Sequence, residues 1–167
     1  KTNVVQNCVE TGIEGPYELV YHNTVKNTGE NSVARYTGST EAIYIKPTTE
    51  FEQKYIGNTI ETRGLRCFSS YSNRDDEYKG IYILNNSMNL KNTDASIACN
   101  YTRSDIEINC KKIKKIVIEN NTGMMKDKKS VNIYTDKGYV MDYFSIHNPC
   151  MIGSVPEKAR YCFNINN

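Results

Sequence analysis

The chain contains two histidines, His22 and His147. A catalytic Ser-His-Asp or Cys-His arrangement would have to include one of them. Neither histidine lies in a recognisable catalytic motif. The carboxylate run Asp75-Asp76-Glu77 is typical of a solvated loop, and no glycine-rich loop is followed by the lysine that would hold a phosphate. These patterns predict a protein that is not an enzyme and uses no cofactor.

The six cysteines form an even set spread along the chain: Cys8, Cys67, Cys99, Cys110, Cys150 and Cys162. A structural zinc site needs closely spaced thiolate or imidazole ligands, and the chain has neither a CxxC pair nor a histidine beside any cysteine. We therefore predict no metal site and three disulfides, with the pairing left open. Since disulfides persist in oxidising compartments, the expected location is secreted and extracellular.

Three acceptor sequons also suggest a secretory route, and they begin at Asn85, Asn100 and Asn120. Because the chain is rich in asparagine, some of these sequons are expected by chance. Glycosylation at the three positions is therefore a hypothesis that the sequence raises without deciding.

Length and composition are those of one soluble domain spanning 1–167, with 38% hydrophobic and 24% charged residues. No apolar run approaches the length of a membrane span, so we expect no membrane insertion. The net charge of +2 gives no reason to expect nucleic-acid binding by the whole domain. The start at Lys1 does not resemble a signal peptide, which suggests a mature or excised chain.

Apolar residues alternate with polar ones, and turn-forming Gly and Asn clusters separate the runs, which predicts an all-β fold and favours a sandwich or barrel. We expect three strands, 112–119, 130–135 and 139–144, to pair antiparallel, with Asp136-Lys137-Gly138 closing a hairpin. Short helical turns are predicted at 39–41 and 156–160. No internal repeat is recognised.

Two basic clusters could favour acidic glycans. They flank the predicted turn at 120–123, and the second consists of Lys126, Lys128 and Lys129. The first could make a weak glycosaminoglycan contact and contains Lys111, Lys112, Lys114 and Lys115. The alternative, which the pattern favours, is a solubilising sheet edge that prevents strand addition. The thirteen tyrosines raise the expectation of a binding surface only slightly, because tyrosine is also common on sheets.

Four stretches resemble the secreted poxvirus chemokine-binding proteins. They are Lys46-Pro47-Thr48-Thr49-Glu50 running to Cys67, Cys99 with 105–110, the segment from Asn109 to Asp142, and Lys158-Ala159-Arg160-Tyr161-Cys162. The resemblance is greatest to the C-terminal chemokine-binding domain of poxvirus tumour-necrosis-factor receptor homologues. It implies a two-sheet β-sandwich that binds host chemokines and keeps them from their receptors.

The same resemblance implies the contact residues, which map onto Glu50, Thr59, Glu61, Arg63, Asn100, Asp105, Ile106 and Glu107. Thr59 and Glu61 are two residues apart, so in a strand they share a face. The family's long acidic loop is shortened here, which implies narrower chemokine specificity. Two alternatives remain open: a protein of the same fold that captures another immune ligand, and a structural or adhesive surface domain.

Overall fold

A computed structural model describes residues 2–8, 11–28, 41–90, 104–124, 130–148 and 163–166. These residues form fifteen strands and, within those ranges, no helix. The strands are β1 Val4–Gln6, β2 Ile13–Gly15, β3 Leu19–Tyr21, β4 Thr24–Thr28, β5 Glu41–Ile45, β6 Glu52–Ile56, β7 Thr59–Thr62, β8 Arg66–Tyr78, β9 Gly80–Leu84, β10 Ser87–Leu90, β11 Ser104–Ile113, β12 Lys115–Glu119, β13 Val131–Tyr134, β14 Tyr143–His147 and β15 Phe163–Asn166.

The strands lie in three sheets. Sheet A has the order β1-β4-β7-β10, sheet B the order β2-β5-β8-β11-β13-β15, and sheet C the order β3-β6-β9-β12-β14. From β3 to β12 the chain visits sheets C, A and B in turn and returns each time to sheet C beside the strand it left, whereas β13, β14 and β15 alternate between sheets B and C. All the strand pairs are parallel. The described residues are therefore wound as a parallel β-helix.

The all-β prediction is confirmed, but the antiparallel meander is wrong. The segment 112–119 is not one strand, because the chain turns at Lys114 between β11 and β12. Strand β13 pairs with β11, and β14 pairs with β12, both in parallel. The turn at Asp136 exists, since Tyr139 N donates to Asp136 O at 3.0 Å, but it joins two different sheets instead of closing a hairpin.

Stacking in register fills the interior of the coils with rows of β-branched and aromatic side chains. In sheet B the row runs Ile43, Phe68, Ile106 and Val131, and in sheet C a row includes Tyr55, Ile83 and Ile118; all seven are buried. Burying each such side chain contributes about 1.5–3 kcal/mol. Each coil thus covers the apolar interior of its neighbour.

The prediction of three disulfides is not borne out. Cys8, Cys67 and Cys110 are free thiols, while Cys99, Cys150 and Cys162 lie outside the described residues. Cys110 lies opposite Ser72 in the register of β11 with β8, five residues along β8 from Cys67. That offset is roughly 16 Å of strand, whereas a disulfide needs Cα atoms within about 7 Å.

Of the two predicted helical turns, only Glu41 lies within the described residues. Glu41, the last residue of the first, begins strand β5, and the turn at 156–160 lies outside the described residues. The structure contains no helix that is long and apolar enough to span a membrane, as far as the described residues go. In the same part of the chain, no group of three or more His, Cys, Asp or Glu residues is arranged to hold a metal ion.

Candidate functional site

The corner between sheets C and A is held by a ladder of six asparagines that the sequence analysis did not identify, of which five are buried and Asn3, at one end, is exposed. Its members occupy equivalent positions in successive coils: Asn3, Asn23, Asn58, Asn86, Asn121 and Asn148. Asn58 illustrates the pattern, because its backbone N and its Nδ2 both donate to Oδ1 of Asn86 at 2.9 Å, and its Nδ2 also donates to Val20 O at 3.1 Å. The side chains of Asn58, Asn86, Asn121 and Asn148 thus each satisfy a backbone N–H and a backbone carbonyl of the preceding coil.

The residue before a ladder asparagine adopts a positive φ at four corners: His22, Gly57, Asn85 and Asn120. Asparagine and glycine tolerate this left-handed conformation better than most residues. The residue after the ladder position carries a hydroxyl at the same four corners. The sequons at Asn85 and Asn120 are therefore also corner motifs of the β-helix. Asn85 and Asn120 are exposed there, and Asn100 lies outside the described residues.

Outside the coils, each sheet presents a different surface. The outer face of sheet A is polar and carries a row of hydroxyls from Thr24, Thr59, Ser87 and Thr122, which are neighbours in register. On β7, Thr59 and Glu61 project from this face, whereas Ile60 and Thr62 point inward and are buried. Thr59 and Glu61 therefore share a face, as the sequence predicts. Arg63 follows the strand and is exposed.

The other residues implied by the resemblance lie elsewhere. Glu50 is exposed in the turn before β6, and its backbone N donates to Thr48 Oγ1 at 3.2 Å. Asp105, Ile106 and Glu107 lie on β11 of sheet B, where Asp105 and Ile106 are 0% exposed. Ile106 is part of the core, so it offers no surface to a partner in this structure. Asn100 lies outside the described residues.

Sheet B carries a buried charged cluster that has some features of an acid–base site. Arg66 Nη1 is 3.3 Å from Glu41 Oε1, and Arg66 Nη2 is 3.0 Å from Glu107 Oε1. Burial raises the pKa of Glu41 despite the neighbouring guanidinium, as it does for catalytic acids. The guanidinium, however, lies between the two carboxylates, where a scissile bond would have to lie. The cluster is therefore better suited to holding strands β5, β8 and β11 together.

Three of the four lysines of the first basic cluster form ion pairs with carboxylates. Lys111 Nζ is 3.0 Å from Asp75 Oδ1, Lys114 Nζ is 3.0 Å from Glu77 Oε2, and Lys115 Nζ is 2.9 Å from Glu52 Oε1. Hydrogen bonding to these lysines holds the pKa of each partner carboxylate below its ordinary value. The local charge available to a sulfated glycan is consequently smaller than the sequence suggests.

Sheet C presents the most apolar outer face. On edge strand β3, Leu19 and Tyr21 are 56% and 46% exposed, and on β14 at the opposite side Tyr143 is 53% exposed. Between them the outward positions include Ile56, Tyr82, Leu84 and Val117. The face is continuous with a cavity of about 640 Å³ beside β3, which is lined in part by Tyr17, Leu19 and Tyr21.

Polar groups are set around Tyr82 at the middle of this face. Lys54 Nζ lies 5.9 Å from the centroid of the Tyr82 ring, within the range of a cation–π contact. Burial and a hydrogen bond to Glu52 raise the pKa of Tyr82, so its hydroxyl stays protonated as a donor. Near the opposite corner, Ser145 Oγ donates to Glu119 Oε1. Aromatic groups, apolar groups and satisfied polar groups therefore alternate across one surface.

Comparisons of the chain with protein-family models, with curated proteins and with solved structures find no match. The class of this protein is therefore defined by its own geometry, as a parallel β-helix with an exposed aromatic sheet face.

Proposed function

We propose that this chain is a non-catalytic binding module of an extracellular protein, and that it holds a macromolecular partner against the outer face of sheet C. The observation that carries the proposal is the set of outward aromatic and aliphatic side chains across the five strands of that sheet. Leu19, Tyr21 and Tyr143 on its two edge strands are exposed, while Tyr82 and its apolar neighbours on the inner strands are half-buried or, at Val117, buried. Large exposed apolar surfaces on soluble proteins commonly mark interaction sites, and tyrosine is enriched in them.

The rigidity of the frame supports this function. Side chains on the strands of a packed sheet are held in fixed mutual positions, so the surface is organised before a partner arrives and less entropy is lost on binding. A structural or adhesive surface domain, which the sequence left open, would use such a face in the same way.

The chemokine-decoy function remains a prediction that rests on the sequence resemblance. It is favoured by the exposure of Glu50 and the outward position of Glu61, which could meet a basic chemokine. The two-sheet frame that the resemblance implies is absent from the described residues, and Ile106 is buried. We therefore rank it below the sheet C proposal.

The test is a binding screen by surface plasmon resonance, with the purified chain against a panel of human chemokines, neutral polysaccharides and acidic polysaccharides. The variant Leu19→Arg places a charge on sheet C, and Val140→Arg is its control because Val140 is 81% exposed and lies outside the strands. Binding that Leu19→Arg weakens and Val140→Arg leaves intact supports the proposal. The absence of any bound ligand contradicts it, as does binding that is insensitive to Leu19→Arg.

A parallel assay separates binding from catalysis. Each polysaccharide that binds is incubated with the chain, and new reducing ends and unsaturated products are measured over time. The non-catalytic proposal predicts none above the level of heat-inactivated protein. Turnover that is lost in Glu41→Gln or Glu107→Gln would instead assign an enzymatic role to the cluster around Arg66.

A further inference from the structure

The tyrosines on the outer face of sheet C form a straight diagonal. Tyr21 lies on β3, Tyr82 on β9 and Tyr143 on β14, so each is two strands from the next. In the register of the sheet, Tyr21 lies opposite Leu84 of β9, and Tyr82 comes two residues before Leu84 on that strand. In the same way, Tyr82 lies opposite Ser145 of β14, and Tyr143 comes two residues before Ser145. Both steps therefore have the same length and direction.

The spacing along this diagonal follows from sheet geometry. Two strand spacings of about 4.8 Å combine with two residues of about 3.3 Å along the strand, which puts successive tyrosines about 12 Å apart and the outer two about 24 Å apart. A regular row of this length fits a linear polymer with a short chemical repeat better than it fits a compact ligand.

The tyrosine at one end of the row is held in place by a neighbour. The ring of Tyr21 stacks on that of His22, with centroids 4.0 Å apart and an angle of 26° between the planes. Tyr82 is held by Glu52 and by Lys54, as described above. The first two tyrosines are thus partly ordered before any ligand binds, which lowers the entropy cost of binding.

The charges on this face cancel. Its outward charged side chains are two acids, Glu52 and Glu119, and two bases, Lys54 and Lys115. Lys115 and Glu52 form an ion pair of 2.9 Å. A surface without net charge offers no electrostatic advantage to a polyanion such as a nucleic acid or a sulfated glycan. Charge complementarity therefore favours an uncharged ligand that still has polar groups to hydrogen-bond.

We propose that Tyr21, Tyr82 and Tyr143 form a platform that binds an extended, uncharged polysaccharide along the outer face of sheet C. A sugar ring has an apolar C–H face and a rim of hydroxyls, which match the ring and the polar tip of tyrosine. Glu52 and Lys54 beside Tyr82 supply hydrogen-bonding partners for those hydroxyls. This inference rests on the binding function proposed above and names the class of its ligand.

The experiment measures the affinity of the whole chain for cellulose, xylan, mannan and chitin, with polygalacturonate and heparin as charged probes. Tyr21→Ala, Tyr82→Ala and Tyr143→Ala are compared with Tyr71→Ala, which is matched because Tyr71 on sheet B is also 53% exposed. Each platform variant should weaken binding to a neutral polymer by about tenfold, which corresponds to about 1.4 kcal/mol. Tyr71→Ala should leave the affinity unchanged.

Two further measurements address ligand shape and variant folding. With a series from disaccharide to hexasaccharide, affinity should rise with length as more tyrosines are reached, and it should change little between low and high salt. Tyr82→Phe keeps the ring and should retain most of the binding, so it guards against a loss caused by misfolding of Tyr82→Ala.

The outcomes separate this inference from the proposed function. Equal binding by the platform variants and Tyr71→Ala would overturn the platform, and so would tighter binding of heparin or polygalacturonate than of every neutral polymer. If the chain binds only a chemokine, and Leu19→Arg abolishes that binding, the glycan inference fails while the proposed function stands. If Leu19→Arg affects no ligand, both fail.

Discussion

At the scale of single residues, the asparagine ladder shows how a polar side chain can be buried at little cost. Asn86 accepts hydrogen bonds at Oδ1 from the backbone N and Nδ2 of Asn58, and it donates to Asn121 Oδ1 and Tyr55 O. An amide is suited to this role because it offers both an acceptor and two donors without charge. The side chain therefore joins three successive coils.

Replacing Asn86 by alanine should destabilise the fold by about 2–4 kcal/mol, because it leaves several buried donors and acceptors unpaired. Urea unfolding followed by circular dichroism measures the change. The control is Asn89→Ala on the exposed face of sheet A, which should cost less than about 0.5 kcal/mol. Equal losses in the two variants would show that the ladder contributes nothing specific.

Glu41 should give the stability an unusual pH dependence. Burial raises its pKa in the folded protein above the ordinary 4.5, so the folded state keeps this proton at pH values where the unfolded chain has lost it. Its contribution to stability is therefore complete below pH 4.5 and is lost as the pH rises through the raised pKa. Relative to Glu41→Gln, the wild type should become less stable as the pH increases from about 4 to 8.

The comparison variant for Glu41 is Glu52→Gln, which should have the opposite effect. The hydrogen bond from Lys115 lowers the pKa of Glu52, so its smaller contribution is present above pH 4.5 and is lost as the pH falls. Urea midpoints measured across this pH range for the three proteins test both directions. Parallel curves for wild type and Glu41→Gln would contradict the assignment of a raised pKa to Glu41.

At the scale of elements, close stacking of coils depends on backbone approach at the corners. Gly123 has φ +72°, and a Cβ there would lie 2.0 Å from Met88 O in the preceding coil. In the same place Met88 N donates to Thr122 O at 2.9 Å. A side chain at 123 would therefore force apart the strands that this corner joins.

Gly123→Ala and Gly138→Ala form a matched pair at this scale. Gly138 also has a positive φ, +82°, but nothing lies within 4 Å of a Cβ built there. Gly138→Ala should cost about 1 kcal/mol for the left-handed backbone alone, while Gly123→Ala should cost at least about 3 kcal/mol because a clash with backbone is added. Thermal and urea unfolding would contradict this explanation if the two losses were equal.

At the scale of the whole molecule, stability comes from the repeated stacking of coils, so the described part of the fold has no need of cross-links between Cys8, Cys67 and Cys110. Burial raises the pKa of Cys110 to about 11 and that of Cys67 well above its ordinary value. Both thiols are therefore protonated and inert in the native protein at neutral pH.

Thiol titration without a reductant tests this picture directly. At least three thiols per chain should react in denaturant, whereas Cys67 and Cys110 should be protected in the native protein and Cys8, which is partly exposed, should react. Peptide mapping after labelling assigns each site. If no thiol reacts in denaturant, the three disulfides predicted from the sequence are present and the free thiols of this structure are wrong.

The sequence by itself determined that this is an all-β protein and where several strands lie. The runs Gly80–Leu84 and Ala42–Ile45 are short and rich in β-branched and aromatic residues, a pattern that predicts strands; β9 has the bounds of the first run, and the second lies within β5. The pattern of an asparagine followed by Thr or Ser was also present at the corners, but unequal spacings of 35, 28 and 35 residues obscured the repeat.

Only the tertiary structure decided which strands are neighbours. Alternation shows which face of a strand is buried, but it carries no information on whether the next strand returns antiparallel beside it or continues into another sheet. That choice depends on hydrogen bonds between residues 28–35 positions apart, such as those of Asn58 with Asn86 and of Asn86 with Asn121. The tyrosine diagonal has the same origin, because Tyr21, Tyr82 and Tyr143 become neighbours on one face only when the coils stack in register.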